Sequence, residues 1–232
     1  MEKYLVVTIK YWNIDNFYKY TKNFKGKWHL ISEKEGFSLT NVDKIKPKKI
    51  FFVHWSWIIP KEIFEKYECV VFHITDLPFG RGGSPLQNLI VRGIYETKIS
   101  ALRVVQELDA GDIYLKKPLN IEYGTAEEIF RNASEIIYQM IEEIIEGELK
   151  PKPQEGAITK FMRRKPEESN LKGLNDIRKV YDCIRMLDGE GYPKAFLEIE
   201  RMRYEFFQPK LDNGTLKAKV IIKKKDDVNN EE

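Results

Sequence analysis

Residues 49–74 read KIFFVHWSWIIPKEIFEKYECVVFHI, and their pattern decides the fold. Two continuous apolar runs, residues 49–54 (KIFFVH) and 69–74 (CVVFHI), stand on either side of a more polar stretch. A strand with one solvated face alternates apolar and polar side chains, whereas a strand covered on both faces does not. Both runs therefore read as strands inside a parallel sheet covered by helices. Between them, Pro60 opens a short helix (PKEIFEK), because proline is well placed in a first turn and acidic residues stand beside it. Strand, helix and strand in this order predict an open α/β sheet.

The pattern extends in both directions. Residues 4–9 (YLVVTI) form a β-rich run, followed by an aromatic-spiked segment of helical or loop character and a weaker strand at 28–32 (WHLIS). Residues 85–92 (PLQNLIVR) read as a helix ended by Gly93. Residues 98–107 and 112–119 are strands joined through Leu108-Asp109-Ala110-Gly111. The clearest helix covers 125–147. Thr125 and Glu128 form a capping box, and positions 126, 129, 130, 133, 136, 137, 140, 141, 144 and 145 keep one face apolar. Pro151-Lys152-Pro153 marks a linker. Beyond it come a helix at 176–187 and strands at 195–199, 202–207 and 216–223, the last two joined by an Asp212-Asn213-Gly214 hairpin turn. The expectation is an open, Rossmann-like, mostly parallel sheet flanked by helices over residues 1–150. A small β-rich C-terminal module over 151–225 and a frayed tail over 226–232 complete it.

Composition narrows the function classes. Hydrophobic residues make up 42% of the chain, which excludes a mainly disordered protein. Its 39 basic and 36 acidic side chains leave a net charge of +3, which gives no argument for a polyanion binder. Cys69 and Cys183 are far apart and imply no disulfide framework. The N-terminal apolar stretch is too short for a signal peptide, and no window approaches the ~18 apolar residues of a membrane span. A cytoplasmic protein with neither membrane partner nor metal is expected.

Chemistry concentrates in residues 72–88, FHITDLPFGRGGSPLQN. His73 closes a buried strand and enters a Gly- and Pro-rich loop, where open α/β sheets place their ligand sites. Gly80, Gly82 and Gly83 let backbone approach a ligand. The turn at Asp109-Ala-Gly-Asp112 brings a carboxylate toward the same edge. Taken together, His73-x-x-x-Leu77-Pro78, Arg81-Gly82, Pro85, Gly93, Thr97 and Leu108-Asp109-x-Gly111-Asp112-Ile113 resemble the formyltransferase family. That family includes methionyl-tRNA formyltransferase, glycinamide ribonucleotide formyltransferase and the sugar N-formyltransferases. The resemblance is firm over residues 49–145. Past 150 it rests on Arg163-Arg164-Lys165-Pro166-Glu167 and Tyr192-Pro193-Lys194-Ala195-Phe196, which look like the small C-terminal domain of the tRNA and sugar enzymes.

The resemblance implies 10-formyltetrahydrofolate as formyl donor and His73 with Asp109 at the reacting centre. The family's Asn, two residues before the His, falls on Val71, which cannot donate to an oxyanion. His54, Asn88 and Thr75 are possible substitute donors, although His54 equally suits packing beside Trp55 and Trp57. The folate is implied along Trp57, Ile58, Ile59 and Pro60 and near Leu108, with Trp57 fitting either that slot or core packing. Arg81, Gly82, Gly83 and Ser84 either meet a phosphate of the acceptor or, for Arg81, brace the loop. A short chain with a weakly basic C-terminal module favours a nucleotide-linked amino sugar as acceptor, possible homodimers included. Alternatives are a tRNA substrate, or a catalytically weakened folate-binding domain.

Overall fold

A computed structural model of the chain describes residues 1–225; the expected tail at 226–232 lies outside them. The elements run β1 (Lys3–Val7), α1 (Tyr11–Tyr20), β2 (Lys27–Ile31), α2 (Leu39–Ile45), β3 (Lys49–Phe52), α3 (Lys61–Phe64) and β4 (Glu68–His73). After these come β5 (Arg81–Gly82), α4 (Pro85–Val91), β6 (Glu96–Arg103), β7 (Ile113–Asn120), α5 (Ala126–Glu146) and β8 (Lys160–Phe161). The last elements are α6 (Ile177–Arg185), β9 (Ala195–Ile199), β10 (Met202–Asp212) and β11 (Thr215–Lys224).

Two compact units emerge. The first comprises Met1–Gly82, Thr97–Leu119 and Arg131–Lys160; the second comprises Gly83–Glu96, Asn120–Phe130 and the chain from Phe161 onward. The first unit thus takes in the Pro151-Lys152-Pro153 segment, where Lys152 bridges Ile113.

A six-stranded sheet ordered β2-β1-β3-β4-β6-β7 forms the first unit's centre. β1 runs parallel to β2 and β3, and β3 to β4, while β6 is antiparallel to β4. As the unalternating runs require, all four residues of β3 are buried, and so are Leu5, Val6 and Val7 of β1. The strand order reverses at β1. There Asn13, almost fully buried, donates from Nδ2 to Thr8 Oγ1 at 3.0 Å and to the Val53 carbonyl at 3.4 Å, fastening the ends of β1 and β3. In α5 the capping box forms: the Thr125 amide donates to Glu128 Oε2 at 2.7 Å, and the Glu128 amide to Thr125 Oγ1 at 3.3 Å. The apolar stripe, from Ile137 to Ile145, is buried as its period predicts. Tyr138 of that helix donates to the Asn13 carbonyl at 2.8 Å.

In the second unit, β11, β10 and β9 form an antiparallel sheet in that order. The hairpin turn falls where the sequence places it, with Asp212 opposite Thr215 and both Asn213 and Gly214 at positive φ. β10 continues past the expected end at Phe207, because a register shift between Phe207 and Lys210 accommodates Pro209. Among the described residues, no helix is long and apolar enough to cross a membrane.

Candidate active site

β4 delivers His73 to the sheet's carboxyl edge, opposite Ser100 of β6. Ser100 then stitches the following loop: its hydroxyl donates to the Thr75 carbonyl at 2.7 Å and accepts from the Leu77 amide at 3.3 Å. Lys116 binds both the Asp76 carboxylate and the Leu77 carbonyl, and Lys98 adds a 2.9 Å ion pair to Asp76. Partial burial raises the Asp76 pKa, but the bonds from Lys116 and Lys98 outweigh it and hold the carboxyl below its usual range. The peptide between Leu77 and Pro78 is cis.

The loop returns so that His73 Nε2 lies 2.8 Å from the Gly80 carbonyl oxygen. A carbonyl only accepts, so Nε2 carries the proton. The other ring nitrogen, Nδ1, stands 3.6 Å from Asp109 Oδ2, and both side chains are 9% exposed. The imidazole and the carboxylate picked out in the sequence are therefore brought together, in surroundings where charge is weakly screened.

Asp109 occupies a left-handed backbone conformation, φ 55°, and its Oδ2 accepts from the Gly82 amide at 2.9 Å. The turn has no room for another residue at Gly111, where a Cβ would stand 1.8 Å from the Arg103 carbonyl oxygen. Arg81 is buried, and its Nε and Nη2 both donate to Gln154 Oε1, at 3.1 and 2.8 Å. The Gly80 and Arg81 amides donate to the Thr159 carbonyl. In the second unit, the Gly83 amide donates to the Phe161 carbonyl, and Ser84 Oγ accepts from the Arg164 amide. The amides of residues 80–83 are thus committed within the protein, and Arg81 braces its loop.

The substitute donors differ sharply. Asn88 Nδ2 lies within bonding distance of the Gly83, Ser84 and Met162 carbonyls, so its two hydrogens are already spent. Thr75 is fully buried, and its hydroxyl has no partner among the described residues. His54, at φ 53°, lies 5.9 Å from the Trp12 ring, and burial together with the Lys10 charge holds its pKa down at about 4. A depressed histidine pKa means that the unfolded chain binds the proton more readily. Its contribution is present above about pH 6.5 and fades as pH falls toward 4, a loss on the order of 3 kcal/mol. His54→Asn, which tolerates positive φ, is expected to flatten that part of a melting-temperature profile measured against pH.

Of the expected folate residues, Ile59 is buried, Ile58 is 93% exposed and Leu108 67% exposed. Trp57 packs edge-on to Trp55 at 4.8 Å and carries Lys34 Nζ 5.0 Å from its ring centroid. Trp55 Nε1 is buried without a partner among the described residues.

A family model described as the methionyl-tRNA formyltransferase C-terminal domain matches residues 166–223. A solved structure of a methionyl-tRNA formyltransferase from Clostridium thermocellum is 51% identical, with a TM-score of 0.92, over 97% of this chain and 100% of its own. The chain belongs to the methionyl-tRNA formyltransferase family. A curated family member from Thermodesulfovibrio yellowstonii is 27% identical over 197 residues, which is 82% of this chain and 63% of its own length. The chain spans 50% to 63% of the length of the first curated relatives it matches. A sugar N-formyltransferase from a Shewanella species shares the fold, with a TM-score of 0.64 over 94% of this chain and 96% of its own, but only 15% identity.

These family relations overturn the amino-sugar acceptor. The amino-sugar expectation rests on chain length and a weakly basic C-terminal module, and neither reports which amine a family member formylates. Overall balance conceals local clusters such as Lys217, Lys219, Lys223, Lys224 and Lys225, which a single exposed hairpin strand and its end carry.

Proposed function

We propose that this chain transfers a formyl group from 10-formyltetrahydrofolate to the methionyl amine of charged tRNA. The observation that carries the reading is His73 Nδ1 facing Asp109 Oδ2 at 3.6 Å, in a chain of this family. The folate derivative supplies the formyl group when bound. The residues proposed to meet its pterin are Trp57, Ile58, Ile59, Pro60 and Leu108, apolar side chains of which Ile58 and Leu108 stand exposed and Ile59 is buried. His73 Nε2 is occupied by Gly80, so Nδ1 is the nitrogen left to face the formyl oxygen, and it donates there as negative charge builds when the ring is an imidazolium carrying a proton on both nitrogens. Asp109 takes the proton that the attacking amine loses, directly or through one water.

Val71 favours a second reading, a folate-binding domain without turnover. It lies half-buried against the apolar cluster around Ile50, Phe52 and Cys69. The test incubates the purified chain with 10-formyltetrahydrofolate and either methionyl-tRNA or a panel of nucleotide-linked amino sugars. Formylmethionyl-tRNA is the expected product. Product from amino sugars alone would reject the acceptor assignment, and folate binding with no product from either would favour the second reading.

A further inference from the structure

Gln154 stands in a proline-rich stretch, Pro151-Lys152-Pro153-Gln154-Glu155-Gly156, that by composition is only a connection. A glutamine in a solvated connection leaves its amide to water. This one uses its whole hydrogen-bonding capacity. Oε1 accepts from Arg81 Nε at 3.1 Å and Nη2 at 2.8 Å, while Nε2 donates to the Asp109 carbonyl at 2.7 Å and the Gly111 carbonyl at 2.8 Å. An amide offers two acceptor sites and two donor hydrogens, and all four are engaged.

The two groups so joined are the loop that holds the partners of His73 and Asp109 and the turn that carries Asp109 itself. On one side, Arg81 stands between Gly80, whose carbonyl holds His73 Nε2, and Gly82, whose amide holds the Asp109 carboxylate. On the other, the Asp109 and Gly111 carbonyls flank Ala110 in a turn that keeps Asp109 at φ 55°, a left-handed conformation that few residues other than Gly, Asn and Asp adopt. Holding both carbonyls fixes the direction of the Asp109 side chain. Holding Arg81 fixes the loop that carries the partners of both reacting groups. We infer that Gln154 is a positioning residue that sets the 3.6 Å gap between the imidazole and the carboxylate. This rests on the formyl-transfer reading for its kinetic consequence, but not for its geometric one.

Two variants separate the halves of the amide. Gln154→Met keeps the length and removes every bond. Gln154→Glu keeps an acceptor for Arg81 but turns an oxygen toward the two carbonyl oxygens, so only the Asp109 side is lost. Both are expected to lower kcat by about 10²-fold, as a misplacement near 1 Å does, while KM for the formyl donor and for methionyl-tRNA stays near the parent value. A Gln154→Glu variant with parental kcat would overturn the inference, since bracing Arg81 would then suffice. A loss confined to KM, or one proportional to a loss of folded protein by circular dichroism, would overturn it as well. Hydrogen exchange at the Gly82 amide, read by NMR, gives an answer in a chain that turns nothing over. In both variants the amide is expected to exchange faster as its bond to Asp109 loosens, and unchanged protection would sink the idea. An inert parent with the expected exchange would discard the formyl-transfer reading and leave the clamp standing.

Discussion

Replacing Asp109 with Asn is expected to lower kcat for formyl transfer by about 10²- to 10⁴-fold, the range a positioned general base supplies. The substitution is chosen because it spares the scaffold. Asn tolerates the left-handed backbone at this position, where φ is 55°. Its side-chain carbonyl can still accept from the Gly82 amide, now 2.9 Å from the carboxylate. What disappears is the negative charge facing His73 and the ability to take a proton. His73→Ala, which removes the donor to the formyl oxygen, is expected to cost a similar factor. If the pair acts as a unit, the double variant is no slower than the worse single one. Initial rates with saturating 10-formyltetrahydrofolate and methionyl-tRNA check this, and a near-parental rate in either single variant would remove that residue from the reacting centre.

How far this site was legible in the sequence depended on the kind of signal. β3 and β4 announce themselves because strands covered on both faces must be apolar throughout. α5 does so because a capping box and a long apolar period agree with each other. The spacing of His73 and Asp109 was readable only through family resemblance, since nothing in either segment alone says that two loops 36 residues apart converge. Gln154 was invisible for a physical reason. Its role lies in four hydrogen bonds to backbone and guanidinium groups distant in sequence, and the prolines beside it suggest a connection. α2 escaped because a helix with a single buried residue, Val42, carries no period to detect. Its signal was Ser38, whose hydroxyl caps the Asn41 amide at 3.4 Å. The acceptor was not legible, because chain length and the charge balance of the C-terminal module say nothing of which amine the site receives.

The largest stability effect is expected in the second unit, where Asp182→Ala should cost about 3–5 kcal/mol, the usual result of stripping one partner from a buried ion pair. Arg185 is fully buried, and its Nε donates to Asp182 Oδ1 at 2.6 Å. Its Nη1 reaches the Ile121 and Gly124 carbonyls at 2.9 and 3.1 Å, while Nη2 has no partner among the described residues. Asp182 Oδ2 accepts from the Tyr95 hydroxyl at 2.6 Å and from Arg178 Nε at 3.2 Å. One carboxylate thus compensates two guanidiniums, and the tyrosine rings cannot take over a whole charge. Coupling discriminates this account from simple loss of packing. Arg185→Met removes the buried cation and leaves Asp182 paired with Arg178 and Tyr95, so in that background Asp182→Ala should cost clearly less than it does alone. Equilibrium urea unfolding of the full chain, followed by far-ultraviolet circular dichroism, measures the cycle. Strictly additive costs would mean that the carboxylate holds this unit by shape and hydrogen bonds rather than by answering the charge of Arg185.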